Sequence, residues 1–341
     1  MLLTGINLSR FTAFENLALE FSPGLNIFVG ENGTGKTHLM KAAYAACEAS
    51  RQNINFAEKL VKIFLPADNQ VGRLVKRNSG SSQAVVGITG KRKGSGKSQD
   101  DKGETALEIS FSNHTKSFHN AGLSGVERWT EEITESVYIP PKDMLSNAPG
   151  FLSLYEKREI HFEEYYVDIL KNAALPILKG PLDEKRNRLL SLLEEQLDGT
   201  IITKKEEFYL KNKQGSLEFT LLAEGLRKLG LLWVLIRNGV LANGSILFWD
   251  EPEANLNPKI IKSLVNILIE LQRLDMQIFV ATHDYVFLKE TDLQRKGGDL
   301  IKYHSLYRND ETREIECRST NEFLQIHPNT ISDPERIQIF V

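Results

Sequence analysis

Three short runs of residues have the types and spacing for phosphate chemistry. The first is Gly30-Glu31-Asn32-Gly33-Thr34-Gly35-Lys36-Thr37, followed by His38. It fits the phosphate-loop pattern G-x-x-x-x-G-K-[ST]. Its glycines let the backbone wrap a phosphate chain with N–H groups pointing inward, and a following helix adds positive potential at its N-terminus. In such a loop Lys36 faces the β- and γ-phosphates and Thr37 holds Mg²⁺, so the nucleotide expected is ATP. The second run is Ile246-Leu247-Phe248-Trp249-Asp250-Glu251-Pro252, an apolar strand ending in an acidic pair. Asp250 is expected in the Mg²⁺ shell, and Glu251 beside the attacking water, which it orients and polarises. The third is Thr282-His283-Asp284, at the end of another apolar run. A histidine at a strand end is usually plain polar surface. Behind the other two motifs, in this order, His283 is expected to reach the γ-phosphate. A second glycine–lysine run, Gly94-Ser95-Gly96-Lys97-Ser98, is a decoy: Lys91 stands where the first glycine should be, and no apolar strand precedes it.

These residues need elements to hold them. Leu25-Asn26-Ile27-Phe28-Val29 reads as a strand buried on both faces and runs straight into the phosphate loop. Thr37 to Ser50 is rich in Ala, Leu, Met and Lys and should be helix. Ahead of them, Leu2, Ile6 and Leu8, then Leu17, Leu19 and Phe21, alternate as two short strands. Residues 76–102 carry seven Lys or Arg against two Asp, with few large apolar residues. They are expected to form a long flexible basic loop. Strands are expected at Leu107–Phe111 and Val137–Ile139, the latter stopped by Pro140-Pro141. Phe151 to Leu197 has helical spacing, with breaks at Pro176 and Gly180-Pro181, and reads as a two-helix lid. Gly199 to Leu222 alternates like a small meander. A helix, a strand, a helix and a strand follow, at Gly225–Arg237, Ser245–Trp249, Pro258–Leu274 and Gln277–Ala281. A last hairpin is expected to pair Ile301–Tyr307 with Glu314–Arg318. The organisation expected is a lobe at 1–145, a lid insertion at 146–222 and a second lobe at 223–341.

Composition narrows the function classes. The 341 residues are 41% hydrophobic and 26% charged, which is ordinary globular composition. The net charge of −3 argues against a wholly basic nucleic-acid binder, so any DNA contact needs a local patch. Cys47 and Cys317 have no close spacing, and read as reduced thiols in a reducing compartment. No apolar run is long enough for a membrane span, and the N-terminus does not read as a signal peptide, so a cytoplasmic protein without membrane contact is expected.

The order of the motifs resembles a known group. Asp250-Glu251-Pro252-Glu253-Ala254-Asn255-Leu256-Asn257-Pro258 is similar to the segment after the acidic pair in ABC-type ATPases of the RecF and OLD (overcoming lysogenization defect) group. So are Leu8-Ser9-Arg10-Phe11…Phe14 and Gly24 to Gly30. The resemblance implies an α/β P-loop fold of ABC-ATPase type: a mostly parallel core sheet, an N-terminal antiparallel β subdomain and an inserted helical lid. Leu222-Ala223-Glu224-Gly225-Leu226-Arg227 then looks like the ABC signature, which implies that Ala223, Glu224 and Gly225 cap the ATP of a second copy. A homodimer with two composite sites is therefore expected.

This chain departs from the family in three places. Ala223 replaces the signature serine, and Asn257 replaces a histidine. No glutamine follows Val137-Tyr138-Ile139-Pro140-Pro141, where Lys142 or Asp143 is the candidate replacement. Slow hydrolysis is expected, more switch than motor. OLD relatives often carry a nuclease domain of the Toprim type. Asp284 to Val341 is too short for one, so a nuclease or other toxin is expected as a separate protein under this ATPase's control, in defence against phage. The alternative is a DNA-binding repair ATPase like RecF, favoured by the basic stretch at 76–102. The ATPase subunit of a membrane transporter is disfavoured by Ala223-Glu224 and by the missing glutamine.

Overall fold

The computed structural model describes residues 1–92, 103–158, 160–180, 182–329 and 331. The chain opens with strands β1 (Leu2–Phe11), β2 (Phe14–Glu20) and β3 (Leu25–Val29). Helices α1 (Lys36–Glu48) and α2 (Phe56–Phe64) follow, then β4 (Gln83–Lys91), β5 (Glu104–Ser112), β6 (Gly122–Ser124), the short α3 (Val126–Trp129) and β7 (Ser136–Ile139). Three helices, α4 (Phe151–Arg158), α5 (Glu164–Ala173) and α6 (Glu184–Leu197), lead into β8 (Thr200–Lys204), β9 (Glu207–Asn212) and β10 (Gly215–Glu218). The chain continues with α7 (Glu224–Arg237), β11 (Ile246–Asp250), α8 (Pro258–Gln272), β12 (Gln277–Thr282), α9 (Tyr285–Gln294), β13 (Ile301–Arg308) and β14 (Ile315–Thr320).

Among the described residues the strands form three sheets. The largest runs β14-β13-β3-β12-β11-β7 and is parallel throughout except for the edge pair β13–β14. Its central strands β3, β11 and β12 are buried at every residue, which is why they read as nearly all-apolar runs. Phe28, Phe248 and Phe279 stack across it: Phe279 lies between the other two, with centroids 6.2 Å from Phe28 and 4.9 Å from Phe248. The second sheet, β2-β1-β4-β5-β6, is antiparallel. The third is the antiparallel meander β10-β9-β8. The α/β class, the parallel core and the N-terminal antiparallel sheet expected from the sequence are present.

Two buried amides lock the first two sheets together. Gln277, at the start of β12, accepts from the Leu3 N–H at 2.9 Å and donates to the carbonyls of Leu3 and Ser22 at 2.8 and 2.9 Å. Asn26 in β3 accepts from the Ser22 N–H at 2.7 Å and donates to its carbonyl at 2.9 Å. Each amide acts as an extra strand residue, so the backbone groups it meets between the layers keep their partners. Helix α1 fills the space beneath with Ala42, Ala43, Ala45 and Ala46, all fully buried, whose small side chains admit the close approach.

The structure corrects the sequence reading in places. Residues 83–91 are not loop but strand β4, hydrogen-bonded to β1 and β5. Its alternation Ala84, Val86, Ile88 inward against Gln83, Val85, Thr89 is a period-two pattern that the basic composition of the wider window hid. Most of the remaining expected loop, with the decoy at Gly94–Ser98, lies outside the described residues. The region expected as two lid helices holds three, α4, α5 and α6. Helices α2 and α9 had no counterpart in the sequence reading. Among the described residues no helix is long and apolar enough to cross a membrane.

Candidate nucleotide site

The site forms where β3, β11 and β12 end together. Between β3 and α1 the loop turns through three glycines with positive φ: Gly30 at 156°, Gly33 at 81° and Gly35 at 86°. Two could not be anything else: a Cβ on Gly30 would stand 2.3 Å from the Leu306 carbonyl oxygen, and one on Gly35 2.5 Å from Phe14 Cζ. Gly35 is the N-cap of α1, and no side chain bonds to the first N–H groups of that helix. Thr34 closes the loop on itself, its hydroxyl donating to the Glu31 carbonyl at 2.8 Å. Lys36 is buried and donates to the carbonyls of Gly30 at 2.6 Å and Glu31 at 2.9 Å. Burial pulls its pKa down, while the carboxylates of Glu251, Asp250, Glu253 and Glu31 hold it up. Glu31 and Asn32 are exposed on the loop's outer rim. His38 packs edge-on against Phe64, and burial pushes its pKa down to about 4, with Lys41 adding to the shift.

Asp250 ends β11 directly beside this loop. Its carboxylate accepts from the Thr37 hydroxyl at 3.2 Å and from the Tyr138 hydroxyl at 3.1 Å. The side chain is buried, which raises its pKa, and those two hydrogen bonds oppose the rise. Glu251 turns out of the strand with φ 48°, its N–H donating to the Ala281 carbonyl at 2.9 Å. Its carboxylate lies 3.4 Å from His283 Nδ1, and both side chains are open to solvent. The structure thus brings Lys36, Thr37, Asp250, Glu251 and His283 to one place.

Three further residues join that cluster, of which only Glu253 lies in a segment that the sequence analysis likened to the family, and there without a role. Tyr138 sits in β7, beside β11 in register with Phe248, and its ring lies 4.8 Å from that of Tyr165 on α5. Glu253 is buried and accepts from the Thr282 hydroxyl at 2.5 Å and the His283 N–H at 3.3 Å. Burial raises its pKa against those bonds. Lys228 on α7 is buried against the loop after β11. A tyrosine within a strand and a lysine amid the leucines of a helix are the sequence signals that were there to find.

The start of α7 packs on the loop after β11. Ala223 is its exposed N-cap, with no side-chain hydrogen bond. Glu224 is half-buried and accepts from Asn255 at 2.7 Å. Gly225 faces inward, against Leu256. Of the two candidates after β7, Lys142 is exposed and Asp143 is half-buried. Asp143 accepts from the N–H groups of Leu145 and Ser146 and pairs with Arg227 at 3.0 Å. It ties the segment after β7 to α7. Asn257, standing in place of a histidine, caps α8 by accepting from the Ile260 N–H at 3.0 Å, with Pro258 next at the first helical position.

Comparison with known proteins agrees with this geometry. A family model described as "AAA domain, putative AbiEii toxin, Type IV TA system" matches residues 25–289. The DNA replication and repair protein RecF of Bacillus mycoides is 35% identical over 82 residues, 24% of this chain and 22% of that protein. RecF of Listeria welshimeri is 38% identical over 77 residues, 23% of this chain and 21% of that protein. The matched segments span about a fifth of these relatives' length. Among solved structures, the Smc head bound to the C-winged helix domain of ScpA covers 94% of this chain and 98% of its own, with a TM-score of 0.62 at 13% identity. The SMC head domain of Thermotoga maritima aligns over 94% of this chain and 99% of its own, with a TM-score of 0.51 at 15% identity. At such identities the likeness is one of fold.

Proposed function

The chain belongs to the AAA-domain family so described, as an ABC-type P-loop ATPase of the RecF and SMC-like group, and from that premise we propose that it is a Mg²⁺-dependent switch. It binds ATP, closes on a second copy, and hydrolyses the nucleotide slowly to reopen. The observation that carries this reading is the convergence of the Thr37 and Tyr138 hydroxyls on Asp250, with Glu251 turned beside it toward His283. Thr37 and Asp250 supply hard oxygen donors side by side, which suits Mg²⁺. Among the described residues no group of three or more His, Cys, Asp or Glu could hold a metal unaided. The ion's other ligands would be phosphate and water, as is usual for Mg²⁺ in nucleotide sites.

Each residue then has a task. The N–H groups of Gly33 to Thr37 and the start of α1 cradle the phosphates, and Lys36 leaves its loop carbonyls to neutralise the β- and γ-oxygens. Glu251, open to solvent, orients the attacking water and takes its proton. His283 senses the γ-phosphate and reports to α9, whose N-cap is the adjacent Asp284. Ala223, Glu224 and the N-terminal N–H groups of α7 meet the other copy's nucleotide. Steady-state hydrolysis with and without Mg²⁺ tests the reading: turnover that depends on the metal and vanishes in Glu251→Gln supports it, and its absence in the wild type refutes it.

The switch is read as controlling a partner protein in phage defence. The family description's toxin wording supports the defence context, and the ScpA-bound Smc head supports a protein partner for a head of this shape. Co-purification of a single toxin-like protein, released by ATP turnover, is the outcome expected. The RecF relatives favour a second reading, a DNA-binding repair ATPase. Under that reading, ATP-dependent binding to duplex DNA weakens steeply with salt.

A further inference from the structure

Lys228 lies three residues past Gly225 on α7, so the two share one helical face. That face rests on the loop after β11, residues 251–257. Lys228 is 3% exposed, and its ammonium donates to the carbonyls of Ala254 at 2.8 Å and Glu251 at 3.3 Å. The same helical turn holds the loop twice more. Glu224 accepts from Asn255, and Gly225 lies so close to Leu256 that a Cβ would come within 2.6 Å of Leu256 Cδ2. The loop carries two non-glycine residues with positive φ, Glu251 at 48° and Asn255 at 62°. Residues with a side chain keep such a conformation only where their surroundings impose it. A buried cation is a poor device for stability alone, because an apolar side chain of the same length would pack there without losing hydration. The ammonium instead fixes the Glu251 carbonyl, and so the direction in which that residue's carboxylate leaves the chain.

We propose that Lys228 is a positioning residue that ties the first turn of α7 to the backbone of Glu251. A second copy's nucleotide engaging Ala223 and Glu224 thereby sets the aim of the Glu251 carboxylate in the same subunit. The inference rests on the reading of Glu251 as the hydrolytic residue and of α7 as the contact with a second copy. Lys228 itself touches neither nucleotide nor metal. Nucleotide affinity and dimer formation are therefore independent of it, and the rate of hydrolysis is not.

The experiment compares wild type, Lys228→Met and Lys228→Arg in steady-state ATP hydrolysis, nucleotide affinity and thermal melting. Lys228→Met keeps the apolar stem out to the ε position and removes the donor. Its kcat is expected to fall about tenfold or more, with KM and the nucleotide Kd within about twofold. Lys228→Arg, which retains a donor, recovers part of the rate. Combined with Glu251→Gln, Lys228→Met still forms the ATP-dependent dimer. A kcat within about twofold of wild type, or losses in kcat, affinity and melting temperature that run in step, would overturn the proposal. Should Lys228→Met not fold, Lys228→Gln, which loses the charge and shortens the reach to both carbonyls, takes its place: the same selective fall in kcat is expected, and an unchanged kcat overturns the proposal. A wild-type chain that neither hydrolyses ATP nor gains mass with it refutes the function proposed above and this inference with it. A wild type that does both, beside an unaffected Lys228→Met, refutes this inference alone.

Discussion

The phosphate loop and the start of α7 are both helix N-termini, and they are built in opposite ways. At α1 the key side chains are already engaged within the subunit: Lys36 with two carbonyls, Thr37 with Asp250, Asp250 with Tyr138. At α7 the N-cap is an exposed alanine with no side-chain bond, and the nearby Gly225 faces inward. At α1 the engaged side chains gather at the helix start itself, while at α7 Glu224 and Lys228 turn back onto the loop after β11 and leave the N-cap bare. A site with one finished wall and one bare wall is what two copies, each supplying the wall the other lacks, would require.

The largest effect should come from breaking the finished wall. Lys36→Ala removes the cation proposed to face the phosphates, and ATP affinity measured by calorimetry should fall by about 100-fold or more. An affinity equal to wild type would contradict the phosphate-loop assignment. Glu251→Gln should leave ATP and Mg²⁺ binding within a few-fold and lower turnover by about 100-fold or more, since the amide cannot take a proton from water. Undiminished hydrolysis would move the base elsewhere in the cluster.

A smaller effect probes how the wall is held before nucleotide binds. Tyr138→Phe deletes one of two hydrogen bonds to the buried Asp250 carboxylate and should cost about 1–3 kcal/mol in denaturant unfolding. An unchanged midpoint would mean that Thr37 alone satisfies that carboxylate.

The smallest effect separates the site from the core behind it. His304 in β13 is packed beside Phe28, and burial pushes its pKa down to about 3. The folded state therefore resists protonation that the unfolded chain accepts near its ordinary value of about 6.5. Stability from this group is complete above about pH 6.5 and is lost as pH falls toward 3. Between about pH 7.5 and 5.5 wild type should lose about 1.4 kcal/mol more than His304→Asn. Equal losses would show that His304 does not carry the acid sensitivity, since the raised pKa values of Asp250 and Glu253 work in the opposite direction.

The finished wall was legible in the residues themselves, and the bare wall only through a family resemblance. The phosphate loop needs glycine at fixed intervals and a lysine–threonine pair, so geometry forces identity there, and β11 and β12 announce themselves as apolar runs ending in Asp250 and Thr282. Tyr138 escaped notice because its hydroxyl bond to Asp250 crosses 112 residues, which no local pattern records. Lys228 and Glu253 act through tertiary contacts of the same kind. Strand β4 was hidden because its alternation is flanked by basic residues that dominate a wider window. At α7 a leucine-rich helix start looks the same whether it meets a second copy or only its own core.

Whether α7 completes the site of another copy is better tested at Ala223 than at Gly225. Any side chain at Gly225 must displace Leu256, whereas Ala223 is exposed and is already the helix N-cap. An aspartate is a favourable residue at an N-cap, so Ala223→Asp should not destabilise the fold. It would occupy the helix's free N–H groups and set a carboxylate against the incoming γ-phosphate. Solution mass is measured by light scattering with ATP and Mg²⁺, comparing Glu251→Gln with Glu251→Gln/Ala223→Asp. The single mutant should double its mass, while the double mutant stays monomeric with equal ATP affinity. A double mutant that dimerises as fully as the single one would contradict a site shared between two copies.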